Sequence, residues 1–270
     1  MPTVDPVALK WLGTAGWEIR VGKTIILIDP FLTRKDPDRI GGEWKTDEEA
    51  VLKAIKHADY IFAGHSHADH IADIPFIAKK FGSQVIGSRT TVNLALTAGV
   101  DRSQLVTVKG GEKLDYKEFS VQVIESVHGV TTRNGRRRQP AYEEVTNPWS
   151  GPVLGTSFVA GDCFLYLFNF AKSKVLHQST GGFMADKLAG MRADVALLYP
   201  MDRSDTEAML KAIQPKTIFV NHFDEWRVPF PEGLPERSVA RARRFTRSVT
   251  AIDPGIQVIT PNYFQPYPIP

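Results

Sequence analysis

Four side chains of metal-ligand type fall in one short stretch: His65, His67, Asp69 and His70. Neutral imidazole and carboxylate oxygen are the N/O donors that Zn2+ prefers, and a cluster with coordination positions to spare suits a catalytic metal. The stretch directly follows an apolar run at 58–64 that closes on glycine, which predicts a buried strand emptying into a loop. A polar surface loop has no need of so many donors at a strand end.

Two more histidines arrive the same way. An alternating run at 119–124 predicts a strand that runs into His128, and an apolar run at 216–220 predicts one that ends at His222. Asp29 closes another apolar strand, 24–28; Pro30 favours an extended backbone there, and the carboxylate reads equally as a simple turn former or as an outer group that orients a ligand. His57 reads as a residue at a helix C-terminus. The single cysteine, Cys163, excludes an intrachain disulfide and a thiolate-based site, and it reads as a small buried hydrophobe.

The elements that must position these groups alternate between strands and helices. Residues 7–28 predict an antiparallel opening, 8–12, 17–21 and 24–28, with turns between. A polar loop spans 32–45, and a capping box at 46–49 opens a helix over 50–56. A helix over 71–81 carries Pro75 in its early turns and stops at Gly82; a strand at 84–87 and a helix over 88–98 follow. Strand 105–108 and a turn at 110–114 lead to 119–124. A second β-rich block comprises 156–160, 163–168 and 174–177, and then come a helix over 183–190 and a strand over 194–198. A capping box at 204–207 opens a helix over 208–213, a basic helix over 235–248 reads as a solvated face, and a strand at 256–260 precedes an extended proline-rich end.

Residues 130–152 show no periodic pattern, and a loop of that length inside a compact domain is commonly either functional or disordered. It carries Arg133, Arg136, Arg137, Arg138, Tyr142 and Trp149 just downstream of His128, and the arginines could attract an anionic substrate.

A chain of 270 residues, 43% of them hydrophobic, can bury a full core. The net charge of +3, from 33 basic and 30 acidic residues, is too small an excess for a dedicated nucleic-acid binder. No signal-peptide pattern and no run of membrane-spanning length is present, so a soluble protein without membrane association is expected. Cytoplasm is the default compartment, with a secreted or periplasmic protein whose leader has been removed kept open.

Collected in order, His65-Ser-His67-Ala-Asp69-His70, His128 and His222 resemble the metallo-β-lactamase superfamily and its His-x-His-x-Asp-His signature. The opening 11–17 and 28–31 is most similar to the branch that includes the ascorbate-6-phosphate lactonase. The resemblance implies an αββα sandwich, two mixed β-sheets face to face with helices on the outer faces, over a single domain 1–270 of two pseudo-symmetric halves. It also implies that His65, His67 and His128 hold one metal, and Asp69, His70 and His222 a second. The metal would be Zn2+, one ion or two, with Mn2+ and Fe2+ left open by a His/Asp donor set.

The chain departs from the family at one ligand: the bridging aspartate position reads Ser179. A hydroxyl bridges cations poorly, so the second site should be weakened, with His177 a candidate substitute on the same strand face. The implied activity is a hydrolase in which metal-bound hydroxide attacks a small ester, lactone or phosphoester, anionic ones included, with Asp69 orienting it and taking its proton. The competing readings are a catalytically weakened or non-enzymatic metal-binding member and, further off, a nuclease.

Overall fold

Apolar alternation in the N-terminal segment builds three antiparallel strands, β1 (Val7–Gly13), β2 (Gly16–Val21) and β3 (Thr24–Ile28). The computed structural model describes residues 6–36, 42–133, 136–138 and 142–270, and of 131–133 and 136–138 it describes the backbone alone. Strands β4 (Tyr60–Phe62), β5 (Gln84–Gly87) and β6 (Leu105–Thr107) then extend the sheet in parallel. Their connections hold α1 (Glu48–Ala54), α2 (Ala68–Ile71), α3 (Ile74–Phe81) and α4 (Arg89–Thr97).

The second sheet starts antiparallel as well, with β7 (Lys113–Asp115) and β8 (Ser120–Ser126). A hairpin of β9 (Thr131–Arg133) and β10 (Arg136–Arg138) stands apart, and the sheet resumes with β11 (Cys163–Asn169) and β12 (Lys174–Gln178). Parallel strands β13 (Val195–Leu198), β14 (Thr217–Val220) and β15 (Gln257–Ile259) complete it, with α5 (Arg203–Ile213) and α6 (Glu236–Ile252) in the crossovers. The last strand, β16 (Pro266–Ile269), returns to pair with β1. Both sheets are seven-stranded and mixed, ordered β16-β1-β2-β3-β4-β5-β6 and β15-β14-β13-β12-β11-β8-β7.

Period-two side-chain placement sorts the core into layers. Ile26, Ile28, Phe62 and Ile86 share one cluster with Val121, Val123, Phe164 and Phe168 of the facing sheet. Their strand neighbours Ile25, Leu27, Ile61 and Val85 belong to another, with Val51 of α1, Ile74 and Ile77 of α3 and Val92 of α4. Each such aliphatic or aromatic side chain contributes roughly 1.5–3 kcal/mol on full burial, so the sheets are held together by their facing surfaces and the helices by the outer ones. The αββα expectation therefore matches the observed layers.

Several local expectations are corrected. The helix expected over 71–81 is two, because the buried Asp73 carboxylate accepts the N–H groups of Leu32 (2.7 Å) and Thr33 (2.8 Å), and α2 begins inside the histidine motif. Helix α1 opens at Asp47, which accepts from Ala50 N at 3.0 Å, and α5 at Asp202, which accepts from Asp205 N at 3.1 Å. In both helices a carboxylate ahead of the predicted start is the better cap. No strand forms at 156–160: a 3-10 turn occupies Gly155–Ser157, and the Ala160 carbonyl accepts from Ser66 N at 2.8 Å, in a loop contact and not a ladder. The helix expected over 183–190 is one 3-10 turn, Ala185–Leu188, from which Leu188 alone is buried. Conversely, a strand forms at Lys113–Asp115 where the pattern predicts a turn, and the hairpin lies within the expected loop.

Helix α5 ends on Gln214, an exposed residue with φ 47°. Glycine adopts that conformation without steric cost, so Gln214→Gly is expected to raise unfolding free energy by about 0.5–1 kcal/mol in urea titration.

Candidate metal centre

Strand ends from both sheets converge on one edge. His65 leaves β4 through Gly64, where a Cβ would fall 2.3 Å from Ser179 Cβ, so only glycine fits. His67 is the N-cap residue of α2, which turns Asp69 and His70 back toward it. His128 follows the end of β8. His222 follows β14 in left-handed backbone, φ 51°, with its N–H donating to Thr14 O at 2.9 Å. The donor atoms of His65, His67 and His128 lie within 4.8 Å of one another, and so do those of Asp69, His70 and His222.

Each of two imidazoles is oriented from behind. His70 Nδ1 donates to Asp29 Oδ2 at 2.9 Å, and His128 Nδ1 donates to Gly129 O at 2.8 Å. Those bonds place the protons on Nδ1 and leave the Nε2 lone pairs facing the cluster. His65 Nε2 lies 3.0 Å from His67 Nδ1, and Asp69 Oδ2 lies 3.2 Å from His222 Nε2 and 3.5 Å from His70 Nε2.

Asp29 itself has φ 45°, not the extended backbone expected before proline, and its other oxygen accepts the Gly64 N–H at 2.6 Å. The left-handed turn aims one carboxylate at both the loop backbone and His70.

Burial, then the neighbouring His70 and His67, pushes His65 well below its ordinary value; burial likewise lowers His67 and takes His128 down to about 4. His70 moves the other way, because Asp69 and Asp29 outweigh its burial. For Asp69, burial is outweighed by His70 and His222, and the carboxyl is held below its ordinary range. Near neutral pH the first trio therefore presents uncharged imidazoles beside the ionised carboxylate of the second.

Ser179 sits behind the rings and not between the two trios. Its Oγ is 3.0 Å from His65 Nδ1 and 3.2 Å from His70 Nδ1, on the sides opposite the facing nitrogens. His177 is fully buried, and its Nε2 donates to Ala15 O at 2.9 Å. The Ser179 hydroxyl is thus engaged with the Nδ1 sides of two donor rings, and His177 Nε2 with a backbone carbonyl.

Tyr142 reaches a cavity of about 360 Å3 that His128 also lines, but its hydroxyl is taken by Glu144 (3.0 Å) and Asp162 (3.1 Å). Trp149 stands elsewhere: its N–H donates to Thr97 of α4 and its ring packs on the outer apolar layer. The backbones of Arg133, Arg136, Arg137 and Arg138 form the hairpin, and their side chains lie outside the described residues. His57 pairs with Asp59 at 2.9 Å, apart from the cluster. Cys163 is buried, with its thiol pushed up to about 12 by burial, as an inert hydrophobe would be.

Sequence reasoning missed three groups. Asp224 accepts from Thr14 N (3.0 Å) and forms a buried pair with Arg34 (2.8 Å). Tyr199 meets His222 edge-on at 5.6 Å, and Arg241 lies 4.8 Å over that tyrosine ring although its helix reads as a solvated face. The position of Asp224 two residues beyond His222 was the available signal; nothing local marks Arg34 or Tyr199.

The donor set fits divalent cations. Two imidazole nitrogens 3.0 Å apart, with both rings disfavouring protonation, must share one proton or direct lone pairs into a common space. A cation suits that space, and the set of three histidines and the set of one aspartate with two histidines suit zinc, manganese or iron.

A family model described as "Beta-lactamase superfamily domain" matches residues 8–222. The chain belongs to the metallo-β-lactamase superfamily. It is 27% identical over 266 residues to a UPF0173 metal-dependent hydrolase of Heliobacterium modesticaldum, a match that covers 94% of each chain. A UPF0173 relative of Brucella anthropi is 30% identical over 129 residues, and the match spans 51% of that protein. Among solved structures, a metallo hydrolase of Ignicoccus hospitalis superposes with a TM-score of 0.66 at 18% identity, covering 98% of this chain and 99% of that one. The expectation of a metallo-β-lactamase-fold hydrolase agrees with these relatives. Among the described residues no helix is long and apolar enough to cross a membrane.

Two outcomes are expected. Asp29→Asn should weaken metal affinity by about 10–100-fold in competition with a chromophoric chelator, since the amide no longer fixes the His70 tautomer. In cation-free protein, His128 titrates at about 4 against an ordinary 6.5, so between those values the unfolded chain holds a proton that the folded chain refuses. Stability from this group, and from His65, His67 and buried His177, is present above 6.5 and lost as pH falls. The raised His70 acts in the opposite sense, stabilising below 6.5 and losing that contribution as pH rises through its folded value. Four against one, melting temperature should drop from about pH 7 to about pH 5; a level or rising profile would contradict four uncharged histidines.

Proposed function

We propose that this protein is a metal-dependent hydrolase of a small ester, lactone or phosphoester. The observation that carries the reading is the pair of donor trios, each assembled from both sheets at one edge. A divalent cation bound there supplies Lewis acidity, lowering the pKa of water it binds toward about 7 and polarising the bond attacked.

The chain's own groups do the rest. Asp69, ionised across the neutral range and 3.2 Å from His222 Nε2, accepts a hydrogen bond from the attacking water and orients it. A cavity of about 580 Å3, lined by His128, Tyr199 and Met201, offers room for a small substrate beside the cluster. Support for an anionic substrate comes from the four arginines on the hairpin that follows His128. The likeness of segments 11–17 and 28–31 to the ascorbate-6-phosphate lactonase branch supports including lactones among the substrates.

A weakened enzyme is the second reading, favoured by Ser179, which leaves the two trios without the carboxylate that the superfamily places between them. Metal analysis after reconstitution, followed by an ester, lactone and phosphodiester panel, decides between them. The hydrolase reading expects at least one equivalent of metal and turnover that chelator abolishes and His65→Ala lowers by at least about 100-fold. Less than half an equivalent of metal, with no loss of melting temperature on chelation, would overturn it.

A further inference from the structure

A cavity of about 840 Å3 opens between the segment after Asp29 and the chain end, and none of the six donor residues lines it. Its wall includes Phe230 and Phe264, whose rings meet at 5.0 Å. Phe264 is unusual twice over: its backbone is left-handed, φ 60°, and the residue is 37% exposed. A bulky residue adopts that conformation at a cost of order 1 kcal/mol or more, and here the Phe264 N–H donating to Trp11 O at 2.9 Å holds it. The result is an aromatic ring presented to the cavity.

The charges around it divide into spent and unspent. Arg34 lies 4.4 Å over Phe230, but its charge is neutralised by buried Asp224. Lys10 pairs with Glu18 at 2.5 Å, Arg227 with Asp36 at 3.5 Å, and the Asp47 carboxylate caps α1. Lys35 and Lys53 also line the cavity, are exposed, and enter no ion pair among the described residues. Two ammonium groups with no ion pair among the described residues thus stand beside an aromatic wall.

We propose that this cavity is a second ligand site that takes a small amphiphilic anion, with its apolar body against Phe230 and Phe264 and its head at Lys35 and Lys53. Apolar area supplies affinity, and the lysines select the sign of the head group. The site shares none of the six donor residues, so its ligand binding can be tested apart from the hydrolase reading.

Isothermal titration of decanoate into chelator-treated full-length protein tests it, with decanol as the uncharged control. One equivalent should bind with Kd below about 1 mM, and decanol at least about fivefold more weakly. Lys53→Glu, Lys35→Ser and Phe264→Ser, all at exposed positions, should each weaken decanoate by about fivefold or more, with circular dichroism confirming the fold. His65→Ala should leave it unchanged. The proposal is overturned if decanol binds as tightly as decanoate, if the lysine and phenylalanine variants bind normally, if His65→Ala removes binding, or if no binding occurs up to about 1 mM.

Discussion

The Asp29 carboxylate holds the metal edge together. It is fully buried, one oxygen accepts the Gly64 N–H that starts the histidine loop, and the other accepts His70 Nδ1. Through one side chain the end of β3 sets both the path of the loop after β4 and the tautomer of a donor ring. A buried carboxylate is costly unless such bonds are made, so the arrangement is all or nothing: either Gly64 and His70 are both in place or Asp29 is left unsatisfied.

That constraint is bought with backbone strain. Thr14, Asp29, Arg34 and His222 are all non-glycine residues in the left-handed region, with φ of 52°, 45°, 48° and 51°. Each costs of order 1 kcal/mol and persists only where its surroundings over-determine it. Here they do: the Thr14 N–H donates to Asp224, the Thr14 carbonyl accepts the His222 N–H, and Arg34 pairs with Asp224 in full burial. Removing one partner of that pair would strand the other, which makes the network rigid and keeps His222 on station.

What can be read from the sequence follows from locality. His65, His67, Asp69 and His70 announce themselves by spacing, and His128 and His222 by the apolar runs that end just before them. Most strands of the two sheets follow from period-two alternation or from continuous apolar runs. The split between α2 and α3 is hidden because the Asp73 carboxylate is claimed by Leu32 and Thr33, far back in the chain. The Arg34–Asp224 pair, 190 residues apart in sequence, leaves no local trace. Alignment to the motif puts Ser179 where a bridging ligand stands, whereas the close approach of Gly64 brings its hydroxyl to the backs of His65 and His70. Position in a motif predicts the neighbourhood; which side of the ring is a matter of packing.

The distribution of donors over the two sheets links folding to metal. His65 and His67 follow β4 in the first sheet while His128 follows β8 in the second, and Asp69 and His70 likewise depend on His222 after β14. Neither trio exists until the sheets dock. The docking is itself keyed close behind the cluster, by Tyr166 Oη donating to Ala63 O at 2.7 Å and Trp17 Nε1 donating to Asn221 Oδ1 at 2.9 Å, each bond crossing from one sheet to the other. A cation that binds only the docked form adds its binding free energy to the packing of the sandwich, and the packing in turn sets donor separation. On this account the metal edge is the seam of the fold, and substitutions in the buried layer between the sheets should be felt at His128 and His222 before they are felt at the motif from His65 to His70.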